Sequence, residues 1–167
     1  MSPGIGLDRP FRTMRRLVAL RRPVVAVLPA DASLADAARL ANRDGVAAVV
    51  VMRGGAFAGV VSHRGIAAAA ARLPEATPQS LAAVACLETV PVVGLDTTVP
   101  EALAQLASAA PDRAAPDHVA VVDSEGRVVD LVSRADLLAE LVWHHGEVIR
   151  EMRLQERLMH LQGVYSC

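Results

Sequence analysis

Apolar and polar positions along this chain fall into one order of segments, and that order occurs twice. Phe11, Met14, Leu17 and Val18 stand at helical spacing with arginines between them, which predicts a short amphipathic helix over 11–20. Pro23 ends it, and 24–27 reads as a short strand. Ser33 is a good N-cap, with Asp36 three residues on, and Leu34, Ala37, Ala38 and Ala41 form one apolar helical face that Asp44-Gly45 stops. The continuous apolar run 46–52 has the character of a strand buried on both faces. Arg53-Gly54-Gly55 predicts a hairpin turn, 57–62 the returning strand, and 66–73 a short Ala-rich helix.

The second half repeats this order. Residues 81–86 correspond to the leading helix and 90–93 to the first short strand. Thr98 caps the next helix, with Pro100 in its first turn and Glu101 completing a capping box. Then follow a buried strand at 118–122, a turn at 124–126, a return strand at 128–133 and a closing helix at 136–143. The copies are also legible directly. The segment from Leu28 to Ala37 is echoed from Gly94 to Ala102, and Gly59-Val60-Val61-Ser62-His63-Arg64-Gly65 by Asp130-Leu131-Val132-Ser133-Arg134-Ala135-Asp136. Ser33 and Thr98 are 65 positions apart, whereas Ser62 and Ser133 are 71 apart. The Pro/Ala-rich stretch 108–117 absorbs the difference as a loop.

Composition narrows the function classes. With two Phe, one Tyr and one Trp in 167 residues, there is no aromatic platform for stacking nucleobases. A net charge of -1 leaves no electrostatic footprint for DNA or an acidic membrane. Every basic residue is Arg, so neither a Schiff-base lysine nor a phosphate-loop lysine is present. Cys86 and Cys167 make no disulfide framework or zinc spacing. No uninterrupted apolar stretch reaches the length of a membrane span and no signal-peptide core is visible, so the expectation is a cytoplasmic protein.

A β-α-β-β-α unit occurring twice, with Asp-x-Ser/Thr-Leu/Val before the first helix and Ser-x-x-Asp after the last strand, resembles the CBS domain (named for cystathionine β-synthase). Two in tandem look like a Bateman module, and the resemblance spans roughly 22–143. It implies an α/β (α+β) fold of two pseudo-symmetric repeats packed sheet to sheet, followed by a C-terminal helix. The expected divisions are a disordered lead at 1–10, a first repeat with its leading helix at 11–74, a second repeat at 75–143 and a helical tail at 144–167. The resemblance also implies a non-catalytic regulatory module, commonly a homodimer. Its ligand class is AMP, ADP, ATP or S-adenosylmethionine, bound between the repeats with no cofactor required.

Carried over residue by residue, the resemblance makes Ser133 and Asp136 the phosphate- and ribose-facing pair. A carboxylate accepting from two vicinal hydroxyls is a charge-assisted contact, at a helix N-terminus that also favours anions. Leu131 covers the base, His118, Val119 and Ala120 form the middle-strand wall, and Val92 forms the other adenine wall. Arg134 is placed to reach a phosphate, as are His63 and Arg64 from the first copy. The first copy keeps Ser62 but has Gly65 where the acid belongs, which predicts one well-formed site rather than two. Asp130 replaces the Gly59 of the first copy, and strand alternation relative to Ser133 directs it outwards, away from the ligand. A purely structural reading stands beside this one: Ser133 caps the closing helix and Asp136 is its reciprocal carboxylate.

Beyond His144 the composition shifts to charged helix formers. Two apolar stripes, Leu141/Val148/Met152 and Leu154/Leu158/Leu161, do not share one heptad register. They predict a helix that packs on a partner helix or leads to an output protein. His144-His145 are adjacent and face different directions, so they are not read as a metal pair. A structural dimerisation scaffold without nucleotide is the rival reading, with Gly65 and Asp130 as its support.

Overall fold

Two capping boxes mark the same point in the two repeats. Asp36 accepts from the Ser33 backbone N–H at 3.3 Å and returns its own N–H to Ser33 Oγ at 3.1 Å. Glu101 Oε2 accepts from the Thr98 N–H at 2.8 Å. These caps start α2 (Leu34–Ala41) and α4 (Val99–Ser108). A computed structural model describes residues 9–21, 25–44, 46, 48–72, 87–109 and 116–164. The remaining elements are α1 (Met14–Arg21), β1 (Ala26–Pro29), β2 (Val49–Arg53), β3 (Ala56–Val61), α3 (His63–Arg72), β4 (Val92–Gly94), β5 (His118–Val122), β6 (Val128–Ser133) and α5 (Arg134–Val164). Positions 1–8 of the lead expected at 1–10, the helix at 81–86 and most of the loop after Ser108 lie outside the described residues, whereas Arg9 of that lead pairs with Glu147.

The strands form two three-stranded sheets, β1-β2-β3 and β4-β5-β6. In each, the first pair is parallel and the second antiparallel. The antiparallel pairs carry the same irregularity. Val51 pairs Gly59 but Met52 pairs Phe57, and Val121 pairs Asp130 but Val122 pairs Val128. Each return strand thus has one extra residue at the same place, so the repeat extends to its bulge. Gly54 (φ 56°) and Gly55 (φ 84°) make the β2–β3 turn in the left-handed region that a two-residue hairpin requires.

The sheets pack face to face. Ala48, Val50 and Val60 of the first repeat form one buried cluster with Val90, Ala120 and Leu131 of the second. Helices cover the outer faces: Leu34, Ala37 and Ala69 lie over Val51 and Val61. The second outer layer includes α1, whose Met14 and Leu17 pack with Val93, Val119, Val132 and Leu137. The leading helix, grouped by sequence with the first repeat, therefore sits in space on the second. Backbone bonds fix it there, from Met14 N–H to Thr97 O at 2.8 Å and from Val99 N–H to Arg12 O at 3.1 Å. In return, Glu88 pairs with Val60 of β3 through N–H···O bonds of 2.8 and 3.0 Å.

Three helices depart from their expected limits, α1 beginning at Met14 rather than 11. α3 begins at His63 rather than 66, because Ser62 Oγ accepts from the Gly65 N–H at 3.1 Å. The expected closing helix and tail are one continuous α5 of 31 residues. Gly146 in its interior costs about 1 kcal/mol, too little to end a helix flanked by good helix formers. No helix among the described residues is long and apolar enough to cross a membrane.

Candidate functional site

The return strands deliver Ser62 and Ser133 to the N-termini of α3 and α5. Ser133 builds a reciprocal cap. Asp136 N–H donates to Ser133 Oγ at 3.1 Å, and Asp136 Oδ2 accepts from Ser133 N–H at 3.1 Å and from Ser133 Oγ at 2.5 Å. The structural reading of this motif is therefore present in the geometry. The same oxygen also receives Arg21 Nη1, from the end of α1, at 2.6 Å. Burial alone would raise the Asp136 carboxyl, but the hydrogen bonds from Ser133 and Arg21 outweigh it and hold the group below the ordinary value.

Asp130 is not directed outwards into solvent, as alternation suggested. It is on the opposite face of β6 from Ser133, but that face lies under α1, and Asp130 is only 2% exposed. Its partner is Arg21, with Nε 3.3 Å from Asp130 Oδ2, and neither atom completes a well-aligned hydrogen bond. Burial pushes the Asp130 carboxyl upward, against the pull of Arg21. One guanidinium therefore serves two carboxylates.

At the other serine, the absence of an acid at position 65 is met from elsewhere in the chain. Ser62 Oγ donates to Glu88, whose other carboxylate oxygen lies 3.5 Å from Arg64 Nη2. Gly59 makes this approach feasible: a Cβ there would lie 2.7 Å from the Glu88 carbonyl oxygen and 3.0 Å from Leu87 Cγ. Arg64 then spans the repeats, with Nη1 3.0 Å from Asp117 at the foot of β5. His118 follows, buried and opposite Ser133 in the β5–β6 register. Burial holds its imidazole below the ordinary value, although Asp117, Glu88 and Asp136 all pull the other way.

Of the residues expected at a ligand, Ser133, Asp136, His118 and Arg64 converge at this junction. His63 is exposed on the first turn of α3. Arg134 is turned to the chain before β5, its Nη2 donating to Pro116 O at 3.1 Å. Leu131 and Ala120 are sealed in the core between the sheets, and Val119 faces the helices instead. Val92, on β4, is exposed. Arg21, Glu88 and Asp117 escaped the sequence reading: Arg21 meets acids more than a hundred positions away, and no local spacing announces such a pair. Two concavities lie away from these groups. One of about 480 Å³ is bordered by Val25, Val27, Leu40 and Arg43, and another of about 680 Å³ lies along α5 beside Arg9.

The sequence profile of the CBS domain matches residues 16–72 and again 84–142. No curated protein sequence matches the chain. Among solved structures, a CBS domain superposes with a TM-score of 0.67 at 20% identity, covering 80% of this chain and 99% of that one. The CBS domain of a bacterial CNNM/CorC family Mg2+ transporter, in complex with ATP, gives 0.58 at 20% identity, over 78% and 87%. CBSX2, in complex with AMP, gives 0.54 at 18% identity, over 72% and 90%.

Proposed function

Because this chain belongs to the CBS-domain family, we propose that it is a non-catalytic regulatory module binding an adenosine-containing nucleotide between its repeats. Ser133 and Asp136 hold the ribose and phosphate side. Arg64 faces the phosphates, and the chain at His118, Val119 and Ala120 lies along the base. The observation that carries this reading is Asp136 itself. It is a carboxylate kept ionised at a helix N-terminus, half-exposed beside the junction of the repeats, where its charge and that of Arg64 both act on His118. ATP and AMP in the related structures support the ligand class. Binding acts by differential affinity, favouring one arrangement of the repeats that the terminal helices report. A cytoplasmic location fits this reading.

Calorimetric titration with AMP, ADP, ATP and S-adenosylmethionine tests it. Asp136→Ala is expected to abolish binding and Gly65→Ala to leave it largely intact. No heat from any of the four at millimolar concentration overturns the sensor reading. A dimerisation scaffold without nucleotide then stands, favoured by the observation that Ser133 and Arg21 already satisfy Asp136 Oδ2.

The same proposal includes a homodimer in which α5 carries the contact to a second copy or to an output protein. Leu141 and Val148, from one expected stripe, are half-buried against the body. Met152 of that stripe and the whole second stripe, Leu154, Leu158 and Leu161, are exposed. A further exposed row runs Leu138, Val142, Ile149, Met152 and Met159. Their alternating steps of four, seven, three and seven fit one heptad seam. Light scattering of the full chain and of a chain ending at Trp143 tests this contact, with loss of the dimer expected on truncation. An unchanged mass would assign the contact elsewhere.

A further inference from the structure

We propose that Arg21 is a built-in occupant of the Asp136 site, which the ligand displaces, and that its release is passed to α5 through α1. This rests on the nucleotide reading above and adds the regulation of that site. Three donors already converge on Asp136 Oδ2: the Ser133 N–H, the Ser133 hydroxyl and Arg21 Nη1. These three exceed the roughly two lone-pair positions of a carboxylate oxygen, so a ribose hydroxyl approaching this atom must evict a donor. The two from Ser133 are fixed by the helix cap. Arg21 is the movable one, because it sits on the last residue of α1 and has a second carboxylate beside it.

That second carboxylate gives the displaced guanidinium a destination. Arg21 Nε and Asp130 Oδ2 are 3.3 Å apart, buried and without a well-aligned hydrogen bond. Pulled towards Asp136, Arg21 leaves Asp130 imperfectly paired, and letting go of Asp136 allows it to pair fully with Asp130. Among the described residues the first repeat shows no such device. Gly59 stands at the place of Asp130, with Leu87 packed over it.

α1 is also tied to α5 beyond this point. Arg12 lies 2.8 Å from Glu140 and stacks 3.5 Å above the Trp143 ring, and Phe11 packs on His144 with ring centroids 4.1 Å apart. The first helix is thus held at its C-terminal end by the start of α5, and through the residues just before it by the second and third turns of α5. Occupancy of Asp136 releases the first tie and leaves the second, so α1 shifts against Trp143.

Calorimetry with ATP and AMP on the full chain, with Trp143 fluorescence as a second readout, tests the proposal. Arg21→Leu alone strands a buried carboxylate, so the informative pair is Asp130→Ala and the double variant Arg21→Leu/Asp130→Ala. Asp130→Ala removes the alternative partner, tightens Arg21 on Asp136 and should weaken binding severalfold. The double variant empties the site and should bind about tenfold more tightly than the parent, since the competing contact is a charge-assisted one. A ligand-induced change in Trp143 emission is expected in the parent and lost in the double variant. A merely structural role moves both variants in the same direction. Equal or weaker binding by the double variant overturns the displacement while leaving the nucleotide reading intact. No binding by parent or variants, with native circular dichroism, overturns both.

Discussion

Glu88 supplies to Ser62 the carboxylate that Asp136 supplies to Ser133. The Ser62 hydroxyl donates to the Glu88 carboxylate and accepts from the Gly65 N–H at 3.1 Å, just as the Ser133 hydroxyl accepts from the Asp136 N–H at 3.1 Å. In the second repeat the acid is three residues from its serine. In the first it comes from 26 residues away, on the chain leading into β4. Position 65 is thus not simply a lost acid, since the carboxylate at this serine has changed its origin.

Ser62→Ala and Glu88→Ala are each expected to cost about 1–2 kcal/mol, because a part-buried charged hydrogen bond is lost and its partner left unmatched. The double variant should cost about 1 kcal/mol less than the two together, the signature of a direct contact. Urea unfolding of the four proteins measures this. Strict additivity would mean that the contact contributes nothing.

Gly59 is the residue that admits Glu88. Its φ of 150° disfavours any side chain, and a Cβ would meet the Glu88 carbonyl at 2.7 Å, a backbone atom that cannot rotate away. Gly59→Ala is therefore expected to destabilise by about 2–3 kcal/mol through strain and overpacking. Gly94, in β4, has nothing within 4 Å of such a Cβ. Gly94→Ala should change stability by less than about 0.5 kcal/mol at this open surface position. Similar losses at both positions would show that the close approach is not the cause.

Much of this was legible in one dimension. The strands, the caps at Ser33 and Thr98 and the Ser133/Asp136 pair are local, and each is announced by residues within three or four positions of one another. The tandem repeat extended that reading to sheet topology. What escaped was the chemistry made by crossing. α1 packs on the second repeat and Glu88 on the first, so Arg21 meets Asp130 and Asp136, and Glu88 meets Ser62, without any periodic signal. Alternation placed Asp130 correctly on the face opposite Ser133. It could not tell that this face is covered by α1, because an arginine far upstream provides the cover.

Trp143 reports the contact between the N-terminal segment and α5. It is the only tryptophan of the chain, and Arg12 lies 3.5 Å above its ring while also pairing with Glu140 at 2.8 Å. Arg12→Ala is expected to destabilise by about 1–2 kcal/mol, from a cation–π contact and a partly buried ion pair. Trp143 emission should shift to the red as its ring gains water. Arg9→Ala, which removes longer contacts of 3.5 and 4.0 Å to Glu147 and Glu151 and a more distant one of 5.7 Å to the Trp143 ring, should do both to a clearly smaller extent. Arg12→Ala with unchanged emission would place the ring's shielding elsewhere.

His118 makes the junction between the repeats sensitive to pH. Burial holds its imidazole below the ordinary 6.5 despite three neighbouring carboxylates, so the folded protein resists a proton that the unfolded chain accepts. Stability from this source is complete above the unfolded value and declines as the pH falls through it towards the folded one. The slope is bounded by about 1.4 kcal/mol per pH unit for one proton. Asp130 acts in the opposite sense: its raised carboxyl takes up a proton in the folded state first, adding stability as the pH falls through its folded value to the ordinary 3.8. The two contributions are separated by substitution. His118→Gln should flatten the stability profile between pH 7.5 and 5, whereas Asp130→Asn should leave that decline in place or steepen it. Chemical denaturation at intervals of half a pH unit resolves the difference. A parent protein whose stability does not fall between pH 7 and 5, or a His118→Gln profile parallel to it, would mean that this imidazole is solvated in the folded state.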